Sequence, residues 1–316
     1  MARAPLEIGQ IALLHPGDQG SAVGAALLRG GFRVACSVAG RSPRTQQAAR
    51  RAGLEARACL ESLLGDADLV LSLVPQEHAL ATAEACARVL RERRGARPRP
   101  EAPLYLDANS IAPASARAIA RLLEAAGAIA VDGAFLGSAR ELEARGSLLL
   151  SGAHAEALAA ALARALRVRV VGAEPGLASA FKLCFSGFNK AVVAAAFESL
   201  CAAERAGFAG PLLACLRDFY PGTLEALERQ LPTYPRHAAR RAQEMADVSA
   251  WLAALSSSHE LADASRTTFA RVARAELDAA RCWDLAGLIR ELAQRAALSI
   301  GAPRGAGDPD PSRGDA

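Results

Sequence analysis

The chain contains only two lysines, Lys182 and Lys190, and both lie in the apolar segment GLASAFKLCFSGFNKAV at residues 176–192. Its other positively charged residues are all arginines. Arginine stays protonated at any working pH, whereas burial and neighbouring charges can shift a lysine amine toward its neutral form. A lysine retained in an arginine-rich chain is therefore suited to acid or base chemistry.

A glycine-containing turn offers a second kind of chemistry, in the sequence HPGDQGSAVG at residues 15–24. Gly17 and Gly20 occupy the second and third glycine positions of a G-x-G-x-x-G pattern, and His15 occupies the first. Such a turn follows a strand and opens a helix, so that the backbone approaches a pyrophosphate and the helix N-terminus faces the anion. An ordinary turn between a strand and a helix is the alternative interpretation.

The second predicted strand leads into the sequence VAGRSPRT at residues 38–45. A site for NAD(H) has an Asp or Glu about 20 residues after the glycines, where it binds the ribose hydroxyls, and this segment has none. Arg41, Ser42 and Arg44 stand there instead, and the planar guanidinium matches the oxygens of a phosphate. The segment therefore predicts NADP(H) in preference to NAD(H), with a solvent-exposed basic loop as the alternative.

The elements that must position these residues change type along the chain. Apolar segments of strand length alternate with helical segments up to about residue 172, which is typical of βαβ units and a mostly parallel sheet. The predicted strands are 11–15, 32–38, 68–75, 102–109, 127–135, 146–152 and 167–172. The predicted helices beyond them are 176–206, 211–230, 235–257 and 260–299. We predict an α/β Rossmann-type domain over 1–174, an all-helical substrate and dimerisation domain over 175–300, and a disordered tail over 301–316.

Composition narrows the class of protein. The net charge is +4, and the arginines alternate with acidic residues instead of forming a basic stripe, so no nucleic-acid partner is expected. No apolar run reaches the roughly 20 residues that span a bilayer, and no signal peptide opens the chain. We therefore expect a cytoplasmic protein without a membrane partner. The seven cysteines are widely spaced and the histidines lack metal-ligand spacing, which indicates buried free thiols and no metal site.

Several segments together resemble the β-hydroxyacid dehydrogenase superfamily, which includes 6-phosphogluconate dehydrogenase. The N-terminal segments that carry the resemblance are VPQEHAL (74–80), DANSIAP (107–113), VDGAFLGS (131–138) and GLASAFK (176–182). The segment YPRHAARRAQEMADVSAWL (234–252) resembles a helical C-terminal domain in a poorly characterised branch of this superfamily. The resemblance extends over residues 10–300 or so, and it implies an N-terminal Rossmann domain, a helical C-terminal domain and a homodimer.

The resemblance assigns roles to residues around the lysines. It makes Lys182 the acid or base that moves the hydroxyl proton, with a surface position on a helix as the alternative. Ser186 stands where the family has a substrate-binding asparagine, and Asn189, one turn further along the same helix face, is expected to take over part of that role. Lys190, two turns from Lys182 on the same face, is expected to be a solvated helix residue, and contact with a distal carboxylate or phosphate is the alternative.

Other roles follow from the same resemblance. Leu136 stands in place of the family's catalytic serine, so the backbone amides of Gly137 and Ser138 are expected to bind a substrate carboxylate. Asn109 and Ser110 are expected beside the nicotinamide, or else to cap a helix. The predicted cofactor-binding residues are Gly17, Asp18, Gln19, Gly20, Arg41, Ser42, Arg44, Val74, Pro75, Asn109 and Ser110.

A basic cluster in the C-terminal half completes the predicted site. Arg236 and Arg240 are four residues apart, as are His237 and Arg241, so all four are neighbours on one helix. In the 6-phosphogluconate dehydrogenase group, basic residues from the C-terminal region of the partner subunit reach the substrate. A similar role here predicts that Arg236, His237 and Arg240 bind a small acidic substrate, and ion pairing with nearby acidic side chains is the alternative.

These observations lead to one functional hypothesis and two alternatives. The hypothesis is an NADP(H)-dependent oxidoreductase that interconverts a hydroxy acid and its carbonyl by hydride transfer, with a lysine acid or base. Imine reduction on the same fold is one alternative, although imine reductases commonly carry Asp or Tyr where this chain has Lys182. A non-catalytic, NADP-binding dimeric scaffold is the other, and His15 and Leu136 support it.

Overall fold

The computed structural model describes residues 6–96, 103–278, 281 and 283–295. The chain divides into two compact units, Met1–Cys184 and Phe185–Ala316. The division falls inside a long helix, and the domain boundary expected after residue 174 stays a prediction. The predicted disordered tail at 301–316 lies outside the described residues.

The first unit is built on one eight-stranded sheet with the strand order β3-β2-β1-β4-β5-β6-β7-β8. All neighbouring pairs are parallel except β6 and β7, which are antiparallel, so the predicted mostly parallel sheet is confirmed. The strands are β1 Gln10–Leu13, β2 Arg33–Ser37, β3 Glu55–Arg57, β4 Leu69–Ser72, β5 Leu104–Asp107, β6 Ile129–Leu136, β7 Ser147–Ser151 and β8 Val168–Gly172.

Six helices of the first unit connect these strands. They are α1 Asp18–Arg29, α2 Pro43–Arg51, α3 Leu60–Gly65, α4 Ala79–Ala96, α5 Pro113–Ala125 and α6 Ala155–Leu162, with a 3-10 turn at Gln76–His78. The strands read as continuous apolar runs because both faces of the sheet are covered. Leu13 and Leu27 belong to the core on one face, and Tyr105 and Ile119 belong to the core on the other. The predicted Rossmann-type architecture is therefore confirmed.

Strand β3 was missed in the sequence. It has only three residues, Glu55–Arg57, and none of them is a large apolar residue. It pairs with β2 at the edge of the sheet, where Cys36 lies opposite Ala56. An edge strand that buries little surface leaves no apolar run in the sequence, so only its partner strand defines it.

In the second unit, the described residues outside loops are helical. Helix α7 Leu177–Arg205 runs into this unit, and the others are α8 Ala209–Phe219, α9 Pro221–Gln230, α10 Tyr234–Ala254, α11 Glu260–Arg274 and α12 Leu285–Gln294. A 3-10 turn at Leu231–Thr233 precedes α10. The buried rings of Phe197, Tyr234 and Phe269 form the aromatic centre of the unit, with centroids 5.4 and 5.0 Å apart along the series.

Two of the predicted helices are each divided in the structure. The segment 211–230 breaks at Tyr220, because Pro221 has no backbone N–H to continue α8 and instead begins α9 at its first position. The segment 260–299 breaks after Arg274, and Glu276 adopts a left-handed backbone conformation with φ of 48°. Residues 260–299 therefore contain α11 and α12 with a connection between them.

Among the described residues, helix α7 is the one helix that is long and apolar enough to cross a membrane by length and composition alone, and 22% of its most apolar window is buried. A core helix of a globular protein passes the same test, so this is weak evidence for a membrane span. Lys182, Lys190 and Glu198 interrupt the helix, so it contains no uninterrupted apolar run of the length that spans a bilayer. The absence of a membrane partner stays a prediction.

Candidate functional site

The glycine turn at the end of β1 is tight even though His15 replaces the first glycine. Gly17 caps α1, and the hydroxyl of Ser21 donates to the carbonyl of Pro16 at 2.7 Å. A Cβ atom on Gly20 would lie 2.0 Å from the carbonyl oxygen of His15, which no side chain can do. Gly20 is therefore required by the close approach of the helix to the preceding backbone.

The same turn presents unpaired polar atoms. His15 Nδ1 and Gln19 Nε2 are buried and have no hydrogen-bond partner in the described part of the chain. Burial lowers the pKa of His15, and the nearby positive charges of Arg41 and His78 lower it further. An anion at the N-terminus of α1 would give the Gln19 amide an acceptor and would be attracted by these basic groups. The residues present therefore fit the pyrophosphate of a dinucleotide.

The residues predicted to bind a 2′-phosphate lie close to this turn. Arg44 forms an ion pair with Asp18 at 2.6 Å, and both side chains are mostly exposed. The Ser42 hydroxyl caps α2 by accepting from the backbone N–H of Thr45 at 3.3 Å. An exposed ion pair is weak, so a phosphate can compete for Arg44. Selection between NADP(H) and NAD(H) stays a prediction.

Asn109 joins the ends of two neighbouring strands. Its side chain accepts from the backbone N–H of Val74 at 2.7 Å and donates to the Ser72 hydroxyl at 3.0 Å. Asn109 is only 2% exposed. Ala112 stands at the N-cap of α5 and no side chain caps that helix, so the alternative in which Asn109 or Ser110 is a helix cap is wrong.

The two residues predicted nearest to the chemistry are brought together. Lys182 Nζ donates to the Ser110 hydroxyl at 2.5 Å, and Lys182 is half-buried on α7. Ser110 follows β5, and Pro75, at the end of the loop after β4, begins the 3-10 turn. The first unit therefore places the lysine beside the loop that follows β5, as the resemblance implied, although the catalytic role of Lys182 remains a prediction.

Two buried aspartates were missed as site residues. Asp132 accepts four hydrogen bonds, from the Ser179 hydroxyl at 2.7 Å, the Ser151 hydroxyl at 2.9 Å, and the backbone N–H groups of Gly176 at 3.0 Å and Ser179 at 3.1 Å. Asp107 accepts from the backbone N–H of Asn109 at 3.0 Å. Their signal in the sequence is a carboxyl residue inside an otherwise apolar strand, which is expensive to bury without partners.

Burial raises the pKa of both aspartates, and that of Asp107 rises to about 7. Hydrogen bonds from Ser179, Ser151 and Gly176 oppose the rise at Asp132, whereas Asp107 has the bond from Asn109 and is further raised by the charge of Asp132. Asp107 Oδ2 has no hydrogen-bond partner among the described residues.

The predicted carboxylate-binding turn already holds a carboxylate of this chain. Gly137 has φ of 92°, a left-handed conformation that favours glycine. The backbone N–H and the hydroxyl of Ser138 both donate to Glu141 Oε2 at 3.0 Å, and the Ser138 N–H is the main cause that lowers the pKa of Glu141. The Ser138 donors are therefore engaged locally in this structure, and the signal that was overlooked is the acidic residue three positions later.

Ser186 and Asn189 are engaged inside the second unit. The Ser186 hydroxyl accepts from Lys190. Asn189 and Gln230 exchange two hydrogen bonds through their amides, at 2.8 and 3.2 Å. Both predicted substrate-binding side chains therefore have structural partners in this unit.

Lys190 is buried, so the expectation of a solvated helix residue is wrong. It is 8% exposed and forms an ion pair with Glu244 at 2.9 Å. Burial lowers the pKa of Lys190 and the charge of Glu244 opposes this effect. The reason is tertiary: α10 brings the carboxylate of Glu244 to Lys190 on α7, and a single sequence does not reveal that pairing.

The basic cluster on α10 is only partly neutralised. Arg240 forms an ion pair with Glu244, and its predicted role in substrate binding stays a prediction. Arg241 lies over the Tyr234 ring at 3.6 Å and donates to the Thr233 hydroxyl at 2.8 Å. Burial and the three neighbouring arginines of the cluster lower the pKa of His237. Three cations, Lys190, Arg240 and Arg241, act on the one carboxylate of Glu244, which leaves an excess of positive charge.

The cysteines behave only partly as expected. The six in the described residues are free, and Cys36, Cys86 and Cys201 are buried. Cys59, Cys184 and Cys215 are exposed, so the expectation that all the thiols are buried was wrong. The seventh cysteine, Cys282, lies outside the described residues. Among the described residues, no group of three or more His, Cys, Asp or Glu side chains is arranged to hold a metal.

Known structures resemble this arrangement over nearly the whole chain. The conserved protein MTH1747, of unknown function and described as structurally similar to 3-hydroxyacid dehydrogenases, is 29% identical with a TM-score of 0.67, over 86% of this chain and 100% of that one. The 3-hydroxyisobutyrate dehydrogenase of Mycobacterium tuberculosis is 20% identical with a TM-score of 0.68, over 90% of this chain and 99% of that one. Residues 203–272 also match the family described as "Domain of unknown function (DUF1932)".

The chain therefore has the fold of the 3-hydroxyacid dehydrogenases, and the resemblance to the β-hydroxyacid dehydrogenase superfamily that the sequence indicated is confirmed at the level of the fold. This is also the fold of NAD(P)-dependent oxidoreductases. An imine reductase from Myxococcus stipitatus in complex with NADP+ is also similar, at 20% identity and a TM-score of 0.58, over 90% of this chain and 99% of that one. No protein of curated function matches the chain in sequence.

Proposed function

We propose that the protein is an NADP(H)-dependent oxidoreductase that interconverts a hydroxy acid and its carbonyl, with Lys182 as the acid or base. The observation that carries the proposal is the hydrogen bond from Lys182 Nζ to the Ser110 hydroxyl. It joins the loop after β5 to the start of α7, within the unit that contains the glycine turn. The carboxyl edge of a parallel sheet is where such folds bind their cofactors.

The chain supplies the groups that would hold the cofactor. Gly17 and Gly20 shape the turn, and the Gln19 amide would donate to a phosphate oxygen. Arg41 and Arg44 would bind the 2′-phosphate as charged forks. When bound, the nicotinamide supplies hydride chemistry at the carbon that carries the hydroxyl or carbonyl.

Lys182 would handle the proton that accompanies this chemistry. In oxidation its neutral amine would take the hydroxyl proton at Nζ, and in reduction its ammonium would return a proton to the carbonyl oxygen. The Ser110 hydroxyl accepts from the amine and so fixes its direction. Arginine could not alternate in this way, because it stays charged at every working pH.

The charge distribution supports an acidic substrate. Arg236, His237 and Arg240 belong to the cluster on α10 in which cations outnumber carboxylates. A substrate carboxylate or phosphate would reduce the mutual repulsion of these groups. We assign them to the anionic end of the substrate.

A homodimer is part of the proposal. The described helices of the second unit expose large apolar side chains, with Phe188 and Phe219 73% and 78% exposed. Tyr220, Leu255 and Leu261 are exposed as well. Exposed apolar residues on this scale are typical of an association surface, and a second copy of the chain would cover them symmetrically.

Imine reduction is the second candidate, because the solved structures that resemble this chain include imine reductases. The two candidates differ in the group that moves the proton and in the substrate that is turned over. A lysine at position 182 favours the hydroxy acid, and a panel that contains both substrate classes separates the candidates.

The first test is a fluorescence titration with NADPH and NADH on the wild type and on Gly20→Ala. NADPH is expected to bind at least tenfold more tightly than NADH, since Arg41 and Arg44 add two charge-assisted contacts worth about 1–3 kcal/mol each. Gly20→Ala is expected to abolish binding, because its Cβ collides with the carbonyl of His15. Absence of binding by either nucleotide would contradict both the proposed function and the NADP-binding scaffold, whereas tight NADPH binding without turnover would favour the scaffold.

The second test is turnover of hydroxy acids, carbonyl acids and cyclic imines by the NADP(H)-loaded protein. Activity toward hydroxy acids that is lost in Lys182→Ala is the expected result. Activity toward imines alone, or hydroxy-acid activity that survives Lys182→Ala, would contradict the proposed function.

A further inference from the structure

Asp107 and Asp132 occupy the same register position in neighbouring parallel strands, β5 and β6. Each is 3% exposed. Two carboxyl groups side by side in a sheet interior lower the stability of the fold, because each loses its hydration and each repels the other when both are ionised. Apolar residues would serve the core better, so the position of this pair calls for a role beyond packing.

Asp132 holds the first turn of α7. Its carboxylate accepts the backbone N–H groups of Gly176 and Ser179 and the Ser179 hydroxyl, and all of these groups lie at the start of the helix. The helix N-terminus carries a partial positive charge, which favours the ionised form of this carboxyl. Lys182 lies three residues after Ser179, about one turn further on the same face. The carboxylate therefore fixes the position from which the Lys182 side chain extends.

Asp107 holds the segment that carries Ser110, the acceptor of the hydrogen bond from Lys182. It accepts the backbone N–H of Asn109, whose side chain is tied in turn to Ser72 and to the backbone of Val74. Ser110 is the next residue, and its hydroxyl accepts from Lys182. The carboxyl group of Asp107 therefore fixes the backbone that carries the acceptor.

The two carboxyl groups also differ in their hydrogen bonds. Both oxygens of Asp132 accept hydrogen bonds, so this group has the partners that an anion requires. Asp107 Oδ2 has no partner among the described residues, so this group is the better place for a proton. One carboxylate and one protonated carboxyl relieve the repulsion within the pair without loosening either hold.

We propose that Asp107 and Asp132 are positioning residues for Lys182, and that each holds one partner of the Lys182–Ser110 hydrogen bond at the geometry which acid or base chemistry needs. The inference rests on the proposed function, in which Lys182 moves the proton. It gives Asp107, in DANSIAP, and Asp132, in VDGAFLGS, a role that requires no contact with substrate.

The presence of only two lysines makes a direct test possible. In a protein labelled with ¹³C-lysine, the side-chain spectrum contains two lysine signals, which Lys182→Arg and Lys190→Arg assign. Lys190 is an internal control, because its partners Glu244 and Ser186 lie in the second unit. The measurement needs neither substrate nor turnover, so it remains informative if the proposed reaction is wrong.

Four variants separate positioning from general loosening. Asp132→Asn keeps the side-chain volume but turns an amide N–H group toward the donors that Asp132 accepts from. Asp107→Ala removes the acceptor for the backbone N–H of Asn109. Asp107→Asn keeps that acceptor oxygen and serves as the conservative rescue. Ser179→Ala removes a single bond to Asp132, and its matched control, Ser265→Ala, removes a buried serine hydroxyl bond in the second unit.

The expected result is that Asp132→Asn, Asp107→Ala and Ser179→Ala each move the Lys182 signal and leave the Lys190 signal in place. Asp107→Asn and Ser265→Ala are expected to leave both signals unchanged. If the panel yields a substrate, kcat should fall by about tenfold or more in the first three variants while KM changes much less. Should a variant at Asp132 fail to fold, Ser179→Ala carries the test.

The inference is overturned if the Lys182 signal stays in place in Ser179→Ala and in every folded aspartate variant, even where activity is lost. It is also overturned if both lysine signals move together, because that pattern reports a general loosening of the fold. If Lys182→Ala keeps full activity while the Lys182 signal still shifts in the aspartate and Ser179 variants, the proposed function is refuted and the positioning role stands.

Discussion

The two lysines lie eight residues apart on one helix, yet their surroundings differ in kind. Lys182 donates to the neutral hydroxyl of Ser110 in the first unit, whereas Lys190 is buried in the second unit against the carboxylate of Glu244. The carboxylate of Glu244 stabilises the ammonium form of Lys190, and the Ser110 hydroxyl orients the amine of Lys182. Residue type alone does not distinguish a lysine suited to chemistry from a lysine that joins two helices.

The largest expected effect is the difference in turnover between variants of the two lysines. Lys182→Ala should lose turnover by about 10²–10⁴-fold, the usual contribution of a positioned acid or base. Lys190→Met, of similar length, should keep turnover within about tenfold because Lys190 is paired for structure. Steady-state kinetics of the two variants at saturating NADPH measure the difference. Equal losses in both variants would remove the distinction between the lysines.

The next effect is the pH dependence of stability that Asp107, which positions the Ser110 partner of Lys182, gives to the protein. Burial raises its pKa from 3.8 to about 7, so the folded state binds a proton that the unfolded state has released. The stability that the folded state owes to the protonated form of Asp107 is fully present below about pH 4 and is lost as the pH rises through about 7. A rise of about three pKa units corresponds to roughly 4 kcal/mol at pH 8.

Asp107→Asn removes this dependence. Relative to the wild type, the free energy of unfolding of the variant should increase between pH 4 and pH 8, by up to about 4 kcal/mol. Urea unfolding across that range measures it, with the exposed Asp66→Asn as the matched control. A constant difference between Asp107→Asn and the wild type would show that Asp107 titrates normally in the folded protein.

A smaller effect is expected on the free energy of unfolding when Lys190 is replaced. Lys190→Met leaves Glu244 with its ion pair to Arg240 and with the nearby charge of Arg241, so the loss of stability should be about 1–3 kcal/mol rather than the full value for a broken buried pair. Glu244→Gln combined with Lys190→Met should recover part of that loss, because the carboxylate that has lost its ammonium partner is removed as well. Chemical denaturation of the two single variants and the double variant tests the coupling. Additive losses would mean that the pair contributes little.

The smallest effect on stability belongs to the exposed pair of Arg44 and Asp18. Arg44→Ala should change the free energy of unfolding by less than about 1 kcal/mol, as exposed ion pairs do. Its dissociation constant for NADPH should rise about tenfold and that for NADH should stay constant, because only NADPH carries the 2′-phosphate. An equal loss for both nucleotides would place Arg44 away from that phosphate.

Much of the first unit could be predicted from the sequence because its signals are local. The strands of the sheet interior are continuous apolar runs, and Gly20 follows a strand at the spacing that a tight turn requires. The family resemblance drew attention to Lys182 and Ser110 separately, and their hydrogen bond appears only in the structure. Expectations failed where a residue's partner is distant in sequence, as with Lys190 and Glu244.

Local patterns in the sequence predict the type of most elements, the tight turn after β1 and the candidate lysine. The burial of Lys190, the engagement of the Ser138 donors by Glu141 and the side-by-side position of Asp107 and Asp132 become visible only in the folded chain. Periodicity and turn chemistry act between near neighbours and therefore remain legible in one sequence. Burial, charge pairing and register arise between segments that meet only when the chain folds, and for that reason they set the environment of each lysine.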